Sequence, residues 1–312
     1  MKRFIILLLS AIFVLCFCFP VQADRIDKRS EEATDIIVGK IKHIKSYYAT
    51  NKWRDDLIMS EITLKVDKAL KGERPDELSF IIEGGVVGDM VLRVSKVPLF
   101  EEGERLVFYL KKKDAGFEYL DSTEVEATRE KGKPAPKLPC CKTFAKWPDP
   151  SVGYAINPNA ADMTQHCIDS EIIAGADAWN DTSGIKLRYA GATNISTVSS
   201  SDDNVVFFRD EESGSTIAVT YIWYTRKGGS IIAFDMVFYD YWTFFGLTSG
   251  CNGTDCNTGF YLQPIAAHEF GHAIGLDHNR CQSSLMFPYA SYCESSLLAE
   301  EDATCIQRLY PY

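Results

Sequence analysis

His268-Glu269-Phe270-Gly271-His272-Ala273-Ile274-Gly275-Leu276-Asp277-His278 is the stretch that decides how this chain is read. Its pattern is H-E-x-x-H-x-x-G-x-x-H. His268 and His272 lie one helical turn apart, so on a helix they share a face, about 6 Å from each other along the axis. Two imidazoles so placed can bind one metal ion, and Glu269 beside the first is left free to handle protons. Gly275 tolerates left-handed dihedrals, which lets the helix stop and the chain turn. The turn carries His278 back to the same ion. Three histidine ligands with a fourth position left for water is the arrangement of a catalytic zinc; a structural zinc usually has four protein ligands, often cysteines. Three of the five histidines fall in this stretch, and chance assembly of the full pattern has odds on the order of 10⁻⁵.

The motif resembles that of the metzincin metallopeptidases, and Gly271 and Asp277 within it make it similar to the matrixins in particular. Asn279 stands where many matrixins have serine or threonine. Ser284-Leu285-Met286-Phe287-Pro288 resembles the family's Met-turn, with Met286 as a hydrophobic floor beneath the histidines. The resemblance implies that Pro288 and Tyr289 wall the pocket for the side chain after the scissile bond; Ala290 stands where the family often has tyrosine. Trp147–Ile156 looks like the family's first strand, Ala178-Trp179-Asn180 like the end of its first helix, and Ile306–Tyr310 like its closing helix. Thr216–Tyr224 corresponds to the sheet edge on which matrixins hold substrate as an added strand, which places Ile217, Ala218 and Val219 at the substrate. The implied fold over 144–312 is α+β: a twisted sheet, an active-site helix and a C-terminal helix.

The resemblance also has departures. Ile231–Asp240 is similar to the matrixin strand that leads to structural zinc and calcium sites, yet no histidine occurs between Cys167 and Ala267. One zinc is therefore expected, the catalytic one. Asp235 and Asp240 offer oxygens of the kind calcium takes, although two acids on a strand are more often solvated surface. Matrixin zymogens hold a propeptide cysteine against the zinc. Cys140-Cys141 precedes the catalytic region, but the surrounding switch motif is absent, and disulfide formation is the plainer reading.

Hydrophobic content of 46% and charged content of 24% fit a globular protein, and 312 residues fit one large or two ordinary domains. A net charge of −10 argues against a nucleic-acid partner held by a general basic surface. Lys2 and Arg3 precede an apolar run from Phe4 to Phe19, followed by Val21-Gln22-Ala23, which reads as a signal peptide cleaved after Ala23. No other stretch is long and apolar enough to span a bilayer. The expected product is a monomer, secreted or periplasmic. Its remaining cysteines are Cys140, Cys141, Cys167, Cys251, Cys256, Cys281, Cys293 and Cys305, and an even number in an exported chain suggests disulfides. Local spacing favours Cys251 with Cys256 and Cys281 with Cys293.

Residues 24–125 read as a small all-β domain. Ile36–Ile41, Ile58–Val66 and Leu106–Leu110 are apolar or alternating, with turns at Gly72–Asp76 and Gly84-Gly85. His43 there is isolated and reads as a surface histidine. Residues 126–143 read as a charged, proline-rich linker. In the catalytic region a helix is expected from about Asp162 to Asn180, with Ile168, Ile172, Ala176 and Trp179 on its apolar face and His166 as a non-ligand. Asn204–Phe208 reads as a buried strand, Arg209–Gly214 as a solvated charged loop, and Leu297–Leu309 as a helix whose first turn is acidic.

The expected chemistry is peptide-bond hydrolysis in a protein or peptide substrate, with zinc on His268, His272 and His278 and Glu269 as general base. The first rival is a catalytically silent zinc-binding module that engages a protein partner; it has no need of Glu269. The second makes the N-terminal β region the functional part, as an inhibitor or adhesion module.

Overall fold

The computed structural model describes residues 29–114, 116–125, 140–160, 162–201, 203–251 and 258–312. The signal peptide expected at 1–23, residues 126–139 of the expected linker, and Cys256 lie outside them.

The first strands are β1 (Asp35–Thr50), β2 (Asp56–Lys71), β3 (Glu77–Glu83), β4 (Gly85–Val87), β5 (Met90–Val94), β6 (Arg105–Lys113) and β7 (Gly116–Glu124). Five of them close a barrel in the order β1-β2-β3-β7-β6. Register shifts in the β1–β2 pairing, between Val38 and Gly39 for example, coil the two long strands so that closure is possible. Alternate residues turn inward, as in Leu78, Phe80 and Ile82 of β3, and Phe80 meets Phe108 of β6 with ring centroids 5.7 Å apart.

Strands β4 and β5 leave the barrel. They join β8 (Ser151–Asn157), β9 (Lys186–Ala192), β10 (Val205–Arg209), β11 (Ala218–Thr225) and β12 (Ile231–Tyr239) in a seven-stranded sheet of order β4-β5-β11-β12-β10-β8-β9. The strand running through Met90–Val94 was not anticipated from the sequence. Strand β11 is therefore not the outer edge of the sheet: β5 pairs with it antiparallel from Tyr221 to Thr225. A two-stranded parallel pair, β13 (Thr243–Phe245) and β14 (Gly259–Tyr261), lies outside it.

Both faces of this sheet are buried, which explains why its strands read as near-continuous apolar runs. Val206, Phe208, Ile222, Phe234, Met236 and Phe238 face helices α1 (Gln165–Asn180) and α2 (Leu262–Ala273). The alternate residues Val205, Phe207, Val219, Tyr221, Trp223, Val237 and Tyr239 share a core with the barrel's Ile58, Leu64, Phe80 and Phe108. Helix α1 starts where the Thr164 side chain accepts a bond from the Cys167 N–H, and it buries Ile168, Ile172, Ala176 and Trp179 as the apolar face predicts. Helix α3 (Glu300–Leu309) closes the chain with Glu300, Glu301 and Asp302 in its first turn.

Two expectations about cysteines are overturned. Cys251 bonds Cys167 and Cys281 bonds Cys140, and a third bridge joins Cys141 to Cys305. Local spacing misled because residues 140–143, read as the end of a linker, run beside the third histidine: Lys142 O accepts the Asp277 N–H at 2.8 Å and Thr143 bridges Leu276. Cys140 and Cys141 thus carry no thiol that could act as a latch. Cys293 is also disulfide-bonded.

Arg209, expected in a solvated loop, ends β10 and is buried. Its guanidinium donates to Asp55 Oδ1 at 2.9 Å, and Asp55 is fully buried. His43 is exposed beside Glu102, at 2.8 Å, and His166 is exposed on α1.

Candidate active site

Helix α2 carries the first two histidines and is fixed from several sides. Trp179 of α1 donates its indole N–H to Ala267 O at 2.7 Å. The last carbonyls, which no helical partner can satisfy, accept from Trp147 Nε1 (Ala273 O, 2.9 Å) and Tyr310 OH (Ile274 O, 3.0 Å). Gly271 must be glycine because a Cβ there would lie 2.3 Å from Met286 Sδ and 2.9 Å from the Trp179 ring. Met286 is 2% exposed, so the Met-turn packs directly against the helix between the two ligand positions.

The chain then reverses at Gly275, whose φ of +100° and close approach to Ala145 O exclude a side chain. The Leu276 N–H returns to Gly271 O at 2.9 Å, and the reversal brings His278 to the helix. Asp277 fixes the returning strand. Its Oδ1 accepts the His278 N–H at 2.9 Å and Arg93 Nη2 at 2.6 Å, while Oδ2 meets Lys142 Nζ at 2.5 Å. Burial opposes ionisation of this carboxyl, but Arg93 and Lys142 outweigh it and hold its pKa below the ordinary value. Asn279 links this loop to the Met-turn through Met286 O (3.0 Å, from its N–H) and Ser284 Oγ (2.7 Å, from Nδ2). Asp302 of α3 accepts Ser284 Oγ at 2.5 Å and the Leu285 N–H at 2.7 Å.

The three imidazoles converge. Nε2 of His268, His272 and His278 form a triangle with sides of 3.2, 3.1 and 3.2 Å. Three ligands of a tetrahedral zinc at about 2.0–2.1 Å would stand about 3.3 Å apart. Nδ1 of His268 faces Leu285 O at 2.6 Å and Nδ1 of His272 faces Leu276 O at 2.9 Å. Donation there places the proton on Nδ1 and leaves the Nε2 lone pair for a cation. Burial, followed by the neighbouring imidazoles, pushes the pKa values of His272 and His278 well below the ordinary value, so both stay neutral. This donor set fits zinc. Among the described residues it is the only cluster of three or more such side chains.

Glu269 is 5% exposed. Its Oε2 accepts Thr220 Oγ1 of β11 at 2.6 Å and Ser95 Oγ at 3.3 Å. Burial raises its pKa; His268 and these hydroxyls act in the opposite direction. Neither hydroxyl has a local sequence signature, although a lone threonine inside the apolar run Ile217–Tyr224 marks a polar group needing a partner.

A cleft of about 2100 Å³ opens between barrel and sheet, and His268, Glu269, His278, Pro288 and Tyr289 line it. Arg29 donates to the Tyr289 hydroxyl and pairs with Asp121 of the barrel. Ile217 and Ala218 line the same cleft, whereas Val219 is fully buried in the barrel-side core. Asp235, offered above to calcium, is 2% exposed, and its two oxygens accept the Ser199 and Val205 N–H groups.

A helix bearing two histidines, a glycine reversal to a third and a methionine beneath them define a metzincin-type site. The profile of the Matrixin family matches residues 146–311, more than half of the chain, and the chain belongs to that family. It is 30% identical over 200 residues to a hatching enzyme of Paracentrotus lividus, covering 61% of this chain and 30% of that protein. It is 50% identical over 52 residues to matrix metalloproteinase-9 of Canis lupus familiaris (17% and 7%) and 48% identical over 61 residues to matrix metalloproteinase-27 of Tupaia belangeri (19% and 12%). The chain thus spans between 7% and 30% of the lengths of these relatives.

Proposed function

We propose that this chain is an exported zinc endopeptidase that hydrolyses peptide bonds in protein substrates. The observation that carries the reading is the convergence of three Nε2 atoms at 3.1–3.2 Å beside a buried carboxylate that opens on a cleft. Zinc, when bound by His268, His272 and His278, supplies a Lewis acid for the scissile carbonyl and acidifies a water. The Glu269 carboxylate accepts that water's proton and passes it to the leaving amine. Thr220 and Ser95 hold the carboxylate in register for both transfers. An extended peptide pairs with the main chain at Ala218, the part of β11 that β5 leaves uncovered, and Pro288 and Tyr289 wall the pocket beyond the scissile bond. Three disulfides among the described residues support an oxidising compartment. Among those residues no helix is long and apolar enough to cross a membrane. Asp235 is not part of the proposed metal chemistry, because both its oxygens already accept main-chain N–H bonds.

The test is zinc content and cleavage of a quenched peptide library for wild type and Glu269→Ala. One zinc in both, with cleavage reduced about 10²–10⁴-fold in the variant, is expected. Folded protein without zinc, or a variant as fast as wild type, would overturn the reading.

A further inference from the structure

We infer that residues 29–125 are a permanent part of the catalytic apparatus, and that Arg93 and Ser95 on and beside β5 are positioning residues for His278 and Glu269. The inference rests on the zinc endopeptidase reading of the site. Its first support is the contact itself. Strand β5 continues the catalytic sheet, and just past it Ser95 grips Thr220 twice: the Ser95 N–H donates to Thr220 O at 2.9 Å and Ser95 Oγ accepts the Thr220 N–H at 3.0 Å. That same Oγ donates to Glu269, so both hydroxyls on the base are fixed by the β5–β11 pairing.

Arg93 acts one step further along. Its guanidinium lies 4.8 Å from the Phe144 ring centroid and reaches the Asp277 oxygen that also holds the His278 N–H. Arg93 and Asp277 side chains are 11% and 8% exposed, so little water competes for this pair. Both side chains also border the cleft, but their hydrogen bonds run to Asp277 and Glu269, so each acts through a residue that does the chemistry or fixes an ion ligand.

The second support is the cost of separation. Without the barrel, Val205, Phe207, Tyr221 and Trp223 would lose their apolar cover. The buried Arg209 would lose Asp55, and the Tyr221 hydroxyl would lose Glu83 at 2.8 Å.

No described residue before Cys140 is a cysteine, so a cut in the chain between the two parts leaves only non-covalent contacts. The experiment places a specific-protease recognition sequence within residues 126–139 of the full chain, cuts it, and follows gel filtration, zinc content and cleavage of the quenched library. The expected result is co-elution of both pieces with zinc and activity kept within about twofold. Release of the barrel in plain buffer, with residues 140–312 as active as before or more so, would overturn the inference and make 29–125 an inhibitory propeptide.

Variants of the uncut chain test the two side chains. Arg93→Met is expected to lose activity about 10–100-fold, mostly in kcat, and to surrender zinc faster to a chelator; Arg93→Lys recovers part of both. Ser95→Ala is expected to lose about three- to tenfold in kcat and to melt at a lower temperature, because the buried Thr220 N–H loses its acceptor, and Ser95→Thr to regain both. Unaltered kcat and chelator rates in both Arg93→Met and Ser95→Ala would sink the positioning roles. If even the wild type cleaves nothing, the endopeptidase reading has failed, and co-elution with chelator kinetics still decides this one.

Discussion

The two faces of the seven-stranded sheet are covered by unlike partners. On one side lie α1 and α2, with the proposed metal ligands on α2 and the loop after it, and disulfides tie this side together: Cys167–Cys251 at α1, Cys141–Cys305 at α3 and Cys140–Cys281 behind the third histidine. On the other side the barrel is held, among the described residues, by strand pairing, an apolar layer and a deeply buried ion pair, without a disulfide. The chemistry sits on the cross-linked face, yet its base draws one of its two hydroxyl partners from the face that is not. On either face, a lost contact is therefore expected to reach the chemistry only where it backs the metal loop or the base, and otherwise to lower stability alone.

The largest effect is expected where the uncross-linked face is weakest. Asp55→Ala leaves Arg209 buried with no carboxylate, at a cost of about 3–5 kcal/mol. Chemical denaturation should read this as a lowered midpoint, with barrel and sheet separating before the helix side unfolds. The double variant Asp55→Ala/Arg209→Met should recover only the part due to the stranded guanidinium, because the buried Val198 N–H, which Asp55 Oδ1 also accepts at 2.8 Å, stays without its partner. Equal midpoints for the single variant and wild type would mean that water reaches Arg209 and that the ion pair does not join the two parts.

On the cross-linked face, the paired replacement Cys140→Ser/Cys281→Ser removes a bridge that closes a separation of 141 residues. A loss of about 2–5 kcal/mol is expected. Because the bridged segment supplies Lys142 to Asp277, zinc should also leave more readily to a chelator. Removing Cys167–Cys251, which lies at α1 and the loop after β13, should lower stability while zinc release stays as in wild type. Equal zinc release from both pairs of variants would erase the distinction between a bridge that backs the metal loop and one that does not.

What the sequence disclosed follows the same division. The histidine motif is local, with every ligand within a helical turn and one reversal, so helix geometry alone places the three imidazoles. The apolar face of α1 is equally local, and Ile168, Ile172, Ala176 and Trp179 are buried as expected. The barrel strands at 36–41, 58–66 and 106–110, apolar or alternating over a few residues, are legible for the same reason. What sequence could not give was pairing at a distance. Val91–Val94 can be a strand of either sheet, and nothing nearby states that β11 is its partner. Arg209 stands in a charged run, and only the fold brings Asp55 beneath it. Cysteine spacing pointed to short loops, while the bonds formed were set by a segment that returns to the third histidine. Yet one clue was present: Val205-Val206-Phe207-Phe208 is apolar at every position, which requires a cover on both faces, and the helices supply only one.

The smallest effect tests the place where the two faces meet. Thr220 donates to Glu269 from the strand that β5 covers. Burial already raises the Glu269 pKa, and the Thr220 hydroxyl is among the groups that oppose the rise. Thr220→Val removes a donor to the carboxylate, so the protonated form gains and the pKa climbs further. Only the ionised carboxylate can accept a proton, so the acid limb of the kcat/KM profile should move to higher pH. The loss should be slight at neutral pH and grow as pH falls. Thr220→Ser keeps a hydroxyl and should leave the limb in place, and Asp55→Ala, remote from the base, should lower stability without moving it. A limb that stays fixed in Thr220→Val would show that β11 does not hold Glu269, and the link between the barrel face and the chemistry would then run through Arg93 and Asp277 alone.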